Sequence, residues 1–497
     1  MTGIARRLQF IGELAGNEQP ALLDSVQKLT YRNLAEKVSR LAGWLGEQGV
    51  QVLGLHLQNC IDWVIVDLAC QEAGTVCVPL PTFFSDQQIE HCLLQAGIDT
   101  LVSANESILP AGDLLQCPVI DPRIRVAKIS AAPVNLPKGT QKITFTSGST
   151  GKPKGVCLST DHQWQVAQSL ADQINMLYPR HGCLLPLSTL LENIAGVYTP
   201  ILCGGTVHIA NDHRGLSGSS VLDSNAMLDW INATRPETLI LLPQLLSAMV
   251  AAIEQGWQAP DSLQFVAVGG SRVSPSLIKQ ARKIGIPVYQ GYGLSECGSV
   301  VALNTPREDR IDQAGKVLPH CRVHIENGEI IVDSPCHLGY LGQPESWYPK
   351  RIATGDLGIL DEGYLAITGR RKNLLISSFG RNISPEWLES ELLGTGVIDQ
   401  CMVVGDDRPY VSALISAPDR FDNAMLTNRI HALNTTLPDY AQIKQWLRIE
   451  NNHWKQLLTA NGRLQRDQAN QQLAGLINDL YNPEPFNKTT EVSHEFL

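Results

Sequence analysis

Apolar and polar positions alternate with two different periods along this chain. "LTYRNLAEKVSRLAGWLGEQG" (29–49) repeats apolar residues at helical spacing and closes on Gly49. "VQVLGLHLQN" then reads as a strand, "CIDWVIVDLACQEAG" as a second helix closed by glycine, and "TVCVPLP" as the next strand. The alternation continues through "GGTVHIA", "TLILLP" and "LQFVAVGG". Helix and strand in turn predict an α/β fold, with parallel sheets covered by helices. The pattern changes near residue 328, where "GEIIVDS", "LGILDEGYLAITG" and "NLLISSFG" predict short strands separated by turns. From "SPEWLESELL" onward a smaller α+β unit is expected, with "GRRKN" (Gly369 to Asn373) as the junction. Asp356 is expected in a turn after Thr354 and Gly355.

Composition narrows the function classes. The chain has 497 residues, 43% of them hydrophobic, room for one large domain and a small one. The net charge of -10 is spread along the chain, which argues against nucleic acid as the main ligand. Twelve cysteines are scattered with no CxxC pair, a pattern expected of reduced thiols in a cytoplasmic protein. The first residues lack the apolar segment of a signal peptide, and no stretch approaches the roughly 18 apolar residues of a membrane span.

The chemistry concentrates in "KITFTSGSTGKPKGVCLS" (142–159). Two strand-like runs flank a loop rich in glycine, hydroxyls and lysine. A hairpin with a polar turn would need only two to five connecting residues. Walker A loops carry GK[ST] before a helix, whereas Lys152 precedes proline and a strand. Glycines let backbone N–H groups curl around an anion, and hydroxyls and lysines add donors and charge. Phosphate binding is therefore the favoured reading, through Thr146, Ser147, Gly148, Ser149, Thr150, Gly151, Lys152 and Lys154.

That stretch resembles the signature loop of the adenylate-forming (AMP-binding) superfamily, and further motifs follow in the family's order over nearly the whole chain. "GYGLSECG" (291–298) is similar to its YGxTE motif, with Ser295 at the threonine position. "ATGDLGILDEGYLAITGRRKN" (353–373) resembles its TGD and GRxKD segments, "SFGRNISPEWLE" (378–389) the opening of its mobile C-terminal domain, and "LTANGRLQR" (458–466) its closing motif. The resemblance implies a large N-terminal domain over 1–371, a small mobile domain over 372–497 and a hinge at Lys372. It implies catalytic roles for Thr150, Lys152, Glu296 and Arg463, with Glu296 a hard-oxygen ligand for Mg2+. Nucleotide contacts are expected from Gly270, Ser271, Gln290, Gly291, Gly293 and Ser295, from Tyr292 stacking on adenine, from Asp356 on ribose hydroxyls and from Arg370.

The family joins a carboxylic acid to a thiol in two steps, so ATP, Mg2+ and CoA, or a carrier-protein phosphopantetheine, are the implied cofactors. "LLPLSTLLENIAGVYTP" (184–200) lies where the family lines its acyl pocket, and most resembles long-chain acyl-CoA synthetases. It offers no aspartate for an α-ammonium group, which would be costly to bury unpaired. The expected pocket residues are Leu190, Leu191, Glu192, Ala195, Val268, Gly269, Gly298 and Val300, and the expected substrate a hydrophobic acid, first of all a fatty acid. The absence of a long insertion favours CoA over an acyl carrier protein as acceptor. Arg463 stands where the family has lysine. It keeps the charge with a different geometry, so an adenylate-binding protein with impaired catalysis is the alternative of a different class.

Overall fold

The computed structural model describes residues 3–16, 18–109, 114–146, 153–210, 224–333, 336–378, 381–459 and 464–481. The expected helices form at Tyr31–Glu47 and Ile61–Ala73 and the expected strands at Val52–His56 and Val76–Pro79. Tyr31–Glu47 starts where the Thr30 side chain accepts from the Asn33 N–H, and it buries one apolar face. Ile61–Ala73 is buried on nearly every side because it packs between sheet and neighbouring helices.

Two large sheets result. In one, Val52–His56, Val76–Pro79, Thr100–Ser103 and Lys142–Thr146 run parallel. Lys154–Leu158 folds back antiparallel on Lys142–Thr146 and also pairs with Gly339–Tyr340. In the other sheet, Arg180–Cys183, Thr206–Ile209, Thr238–Leu241, Phe265–Val268 and Val288–Tyr292 run parallel. This sheet continues antiparallel through Ala302–Leu303 and Lys316–Val317 to the hairpin of Ile352–Asp361 and Tyr364–Arg370. The change of style near residue 328 is this passage from crossover-connected to hairpin-connected strands.

A single turn of 3-10 helix, Arg371–Asn373, leads to the C-terminal part. There Gln400–Val404, Val411–Ser416 and Ile443–Arg448 form a separate sheet, packed by Pro385–Leu393 and Asn423–Asn434. The two parts meet where Ser274 Oγ donates to Glu391 Oε2 at 3.0 Å. Among the described residues, no helix is long and apolar enough to cross a membrane.

One local expectation changes. Asp356 is not in a turn but inside the long strand Ile352–Asp361. Within the segment 184–200, Glu192–Tyr198 is a π-helix that passes directly into the short α-helix Thr199–Leu202.

Candidate active site

The nucleotide half of the candidate site is built by a hairpin. Its turn contains Glu362 and Gly363, both with positive φ, the backbone that suits the twist of a tight hairpin. From the turn, Asp361 pairs with Tyr364 and Gly358 with Ile367; a bulge between Leu357 and Gly358 then shifts the register by one. Asp356 therefore stands opposite Arg370, and Arg370 Nε lies 3.2 Å from Asp356 Oδ1. Tyr292, at the end of Val288–Tyr292, donates its hydroxyl to Asp356 Oδ2 at 2.8 Å. Burial, and then the neighbouring carboxylate, push the Tyr292 phenol well above its usual range, so it stays a proton donor. Thr354 Oγ1 accepts from the Asp356 N–H at 3.1 Å and fixes the backbone there.

Glu329 is a residue the sequence reading missed. Its Oε1 accepts from the Gly355 N–H at 2.8 Å, and its Oε2 lies 3.1 Å from Arg371 Nη2. It thus ties the TGD segment to the junction at 369–373. Lys372 is exposed, and Asn373 donates its amide to Glu386 Oε1 at 2.5 Å.

The glycine-containing segment folds back tightly. A Cβ on Gly293 would fall 1.8 Å from the Ser299 carbonyl oxygen, so no other residue fits. Ser295 and Glu296 lie on the short 3-10 turn that follows. Glu296 is held twice: its carbonyl accepts from the His337 N–H at 2.6 Å, and its Oε1 accepts from the Tyr340 hydroxyl at 2.9 Å. Lys154 Nζ lies 5.8 Å from the Tyr340 ring centroid. Tyr340 pairs with Val156, so it joins Glu296 to the strand that leaves the phosphate-type stretch.

Thr146 and Lys154 are paired across that stretch, and Thr146 Oγ1 donates to the Lys154 carbonyl at 3.4 Å. Ser147, Gly148, Ser149, Thr150, Gly151 and Lys152 lie outside the described residues, as does Arg463. Gly269, Gly270, Ser271, Gln290 and Gly291 gather at the carboxyl ends of the adjacent parallel strands Phe265–Val268 and Val288–Tyr292. Crevices outside strand carboxyl ends are where open α/β sheets bind ligands. An ideal Cβ on Gly269 would lie 3.2 Å from the Gly291 carbonyl oxygen, so these two backbones run side by side.

The acyl side departs from the sequence reading. Glu192 is fully buried and its Oε1 lies 3.1 Å from His181 Nε2, so it stands behind the expected wall rather than in it. Val268 is also buried, because in the strand Phe265–Val268 it points with Val266 into the core. Leu190, Gly298 and Val300 are buried as well. Leu191 and Ala195 remain half-buried, and so does Ala267, which faces opposite to Val268. All three pack against both core clusters of the large domain, which places them at the seam between the two. Strict alternation in "FVAV" was the signal that could have selected Ala267.

Near the closing motif, Leu458 and Leu464 form a β-bridge. Arg466 Nη2 lies 2.5 Å from Glu389 Oε1, and Arg466 Nη1 donates to the Val403 carbonyl at 3.0 Å. Burial pushes the Glu389 carboxyl up despite that arginine.

A large sheet-and-helix domain with this strand-end cluster, followed by a small α+β domain, is the architecture of adenylate-forming enzymes. The AMP-binding enzyme model matches residues 14–337, and the model of the AMP-binding enzyme C-terminal domain matches 372–485. The chain belongs to the AMP-binding enzyme family. It is 28% identical over 424 residues to a feruloyl-CoA synthase of Amycolatopsis, covering 77% of this chain and 81% of the relative. It is 28% identical over 413 residues to the 2-succinylbenzoate–CoA ligase of Bacillus subtilis, covering 78% and 82%. Among solved structures, an anthranilate CoA ligase in complex with anthranoyl-AMP superposes with a TM-score of 0.78 at 17% identity, over 95% of this chain and 98% of that one. The o-succinylbenzoate coenzyme A synthetase of Bacillus subtilis, in complex with ATP and magnesium, gives 0.73 at 24% identity, over 93% and 98%. These superpositions establish the fold. The enzyme class supported by the matches is AMP-forming acid–thiol ligation.

Proposed function

We propose that this enzyme activates an aromatic carboxylic acid with ATP and transfers the acyl group to CoA. The observation that carries the nucleotide part is the Asp356 carboxylate, fixed by Arg370 and Tyr292 beside the strand ends. The half-buried apolar side chains Leu191, Ala195 and Ala267 suit a flat hydrophobic acid, and the curated relatives named above are synthetases of aromatic acids. The fatty acid expected from the sequence has no counterpart among those relatives.

In this reading the acid's carboxylate attacks the α-phosphorus and pyrophosphate leaves. The thiol then attacks the acyl-adenylate carbonyl and AMP leaves. Asp356 holds the ribose and Arg370 orients that carboxylate, while Tyr292 offers its ring face to adenine. Lys154 adds positive charge on the phosphate side. Glu296, a partly exposed carboxylate oriented by Tyr340, fits a hard divalent cation. Bound Mg2+ would supply charge neutralisation at the phosphates. Thr150 and Lys152 on the phosphate side and Arg463 at the acyl carboxylate complete the proposed set.

ATP–pyrophosphate exchange with benzoic, hydroxycinnamic, fatty and α-amino acids tests the reading, followed by CoA addition and mass detection of the thioester. Exchange with an aryl acid and a CoA thioester product is expected. Exchange confined to fatty or α-amino acids overturns the substrate assignment. Adenylate binding without any exchange would make the chain a binding protein on a ligase scaffold.

A further inference from the structure

Behind the acyl side lies a polar cluster to whose residues the sequence motifs assign no role. Lys142, the first residue of the strand Lys142–Thr146, is only 1% exposed, and Asp67 on the helix Ile61–Ala73 is fully buried. Lys142 Nζ lies 2.8 Å from Asp67 Oδ1, donates to Tyr198 Oη at 2.8 Å and also donates to Asn193 Oδ1. Asp67 Oδ2 accepts from Asn193 Nδ2 at 3.0 Å and from the Tyr198 hydroxyl. Gln71 Nε2 donates to Tyr198 Oη at 2.6 Å, and Gln71 Oε1 accepts from Trp164 Nε1 at 2.8 Å. The Trp164 and Tyr198 rings stack at 4.7 Å. The ammonium donates hydrogen bonds to Asn193 and Tyr198 and ion-pairs with Asp67 Oδ1, which accepts no hydrogen bond of its own, and both Asn193 polar atoms are used. Such a buried ion-pair network favours this arrangement, because moving Asn193 or Tyr198 out of it would leave the buried Lys142–Asp67 pair without its hydrogen bonds.

Asn193 and Tyr198 are five residues apart on the π-helix Glu192–Tyr198, yet both reach the same ion pair. In an α-helix of about 3.6 residues per turn, such positions would lie roughly 140° apart around the axis. In the i→i+5 register, with roughly 4.4 residues per turn, they lie only about 50° apart. The network and the π register therefore select each other. Ala195 lies within this π segment and Leu191 directly before it, so the register bears on how both face the seam beside Ala267.

We propose that Lys142 and Asp67 act as positioning residues: they lock Glu192–Tyr198 in its π register and so set the acid-facing wall through Leu191 and Ala195. The wall part rests on the proposed acyl site, whereas the register part does not. Lys142 also stands on the strand that delivers the phosphate-type stretch, so one network spaces the two halves of the site.

The test is the full-length Lys142→Met/Asp67→Asn variant, which removes both charges at nearly constant volume, with Tyr198→Phe as the milder change. Amide hydrogen exchange is read first, without ligand. Peptides covering 192–199 should exchange at least about tenfold faster than in the unmodified protein, with the sheet Gln400–Val404, Val411–Ser416 and Ile443–Arg448 unchanged. In pyrophosphate exchange with benzoate and 4-hydroxycinnamate as probe acids, the KM for acid should rise about tenfold and the KM for ATP stay within twofold. Tyr198→Phe should move both readouts in the same direction by less. Unchanged protection of 192–199 in the double variant overturns the register role. Faster exchange there with an unchanged KM for acid, or with both KM values rising in parallel, overturns the wall role. If the unmodified protein exchanges neither acid, the proposed acyl site fails, and the hydrogen-exchange result still decides the register role.

Discussion

Asp356 faces Arg370 because the partner strand carries one extra residue, Thr368, opposite the step from Leu357 to Gly358; without that bulge the partner of Asp356 would be Gly369. The bulge depends on Gly358, where an ideal Cβ would fall 2.7 Å from both the Ala366 carbonyl oxygen and Ile330 Cδ1. Gly358→Ala should destabilise the chain by about 2 kcal/mol, the scale of an overpacked site, and should weaken AMP binding beyond that global effect. Thermal unfolding and calorimetric AMP titration at a temperature where the variant is folded read the two separately. An Ala variant with unaltered AMP affinity would show that the Asp356–Arg370 register is not needed for the nucleotide.

Asp356 and Tyr292 separate binding from scaffolding. Asp356→Asn should weaken AMP binding about 10- to 100-fold, the range for hydrogen bonds to a charged group. Tyr292→Phe keeps the ring and loses only the hydroxyl bond, so its loss should be under about tenfold. Equal losses in the two variants would mean that Asp356 acts through Tyr292 rather than on the ligand.

How much of this was legible in the sequence depends on the kind of interaction. The alternation of period around Tyr31–Glu47 and Val52–His56 is a local signal, and the order of elements follows from it. The roles of Tyr340 and Glu329 are not local. Tyr340 meets Glu296 across 44 positions, and Glu329 meets Gly355 across 26. Only sheet register brings such pairs together. Glu192 misled for a similar reason: its partner His181 sits on a neighbouring strand, and a buried carboxylate looks like a pocket carboxylate until that partner is known. The π register of Glu192–Tyr198 was hidden because it answers to Lys142 and Asp67, far away in sequence.

Tyr340 gives a metal-linked prediction. Its hydroxyl orients Glu296, and Glu296 is the residue proposed to meet Mg2+. Glu296→Gln should nearly abolish pyrophosphate exchange, whereas Tyr340→Phe should keep it and raise the Mg2+ concentration needed for half-maximal rate by about three- to tenfold, the cost of one hydrogen bond. A Mg2+ titration of both variants reads this directly. An unshifted Mg2+ requirement in Tyr340→Phe would remove Tyr340 from the site.

Three buried histidines surround the same segment. A Cβ on Gly298 would lie 3.1 Å from His162 Nε2, His337 bonds the Glu296 carbonyl through its backbone, and His320 opposes charge on His162. Burial pushes His162 from 6.5 down to about 4, and His320 likewise. A histidine with a lowered folded-state pKa takes up its proton more readily when unfolded. Its contribution is therefore intact above about pH 6.5 and is lost as pH falls towards about 4. The thermal midpoint should fall through that window, and His162→Gln should flatten the fall by an amount on the order of 3 kcal/mol at most. Identical pH profiles for the variant and the unmodified protein would exclude His162 as a source.

Arg466 and Glu389 bear on the proposed role of Arg463, three positions before Arg466. The pair is mostly buried at the base of the closing motif, next to the Leu458–Leu464 bridge. Arg466→Met alone strands a buried carboxylate and should cost about 3–5 kcal/mol, whereas Arg466→Met/Glu389→Leu should be nearly neutral for stability. The double variant thus isolates the placement of the closing motif from the stability of the C-terminal domain. If Arg463 works at the acyl carboxylate, Arg463→Ala should slow adenylate formation by roughly 100-fold, the scale of one oxyanion-stabilising contact. The stable double variant should slow the same half-reaction by about tenfold, because the arginine is present but poorly held. Both should leave thioester formation from a supplied acyl-adenylate close to normal, since that step does not use residue 463. Single-turnover measurements of the two half-reactions, paired with thermal midpoints, read every arm. Equal slowing of both half-reactions would point to general damage, and no slowing of adenylation in either variant would remove the closing motif from the chemistry.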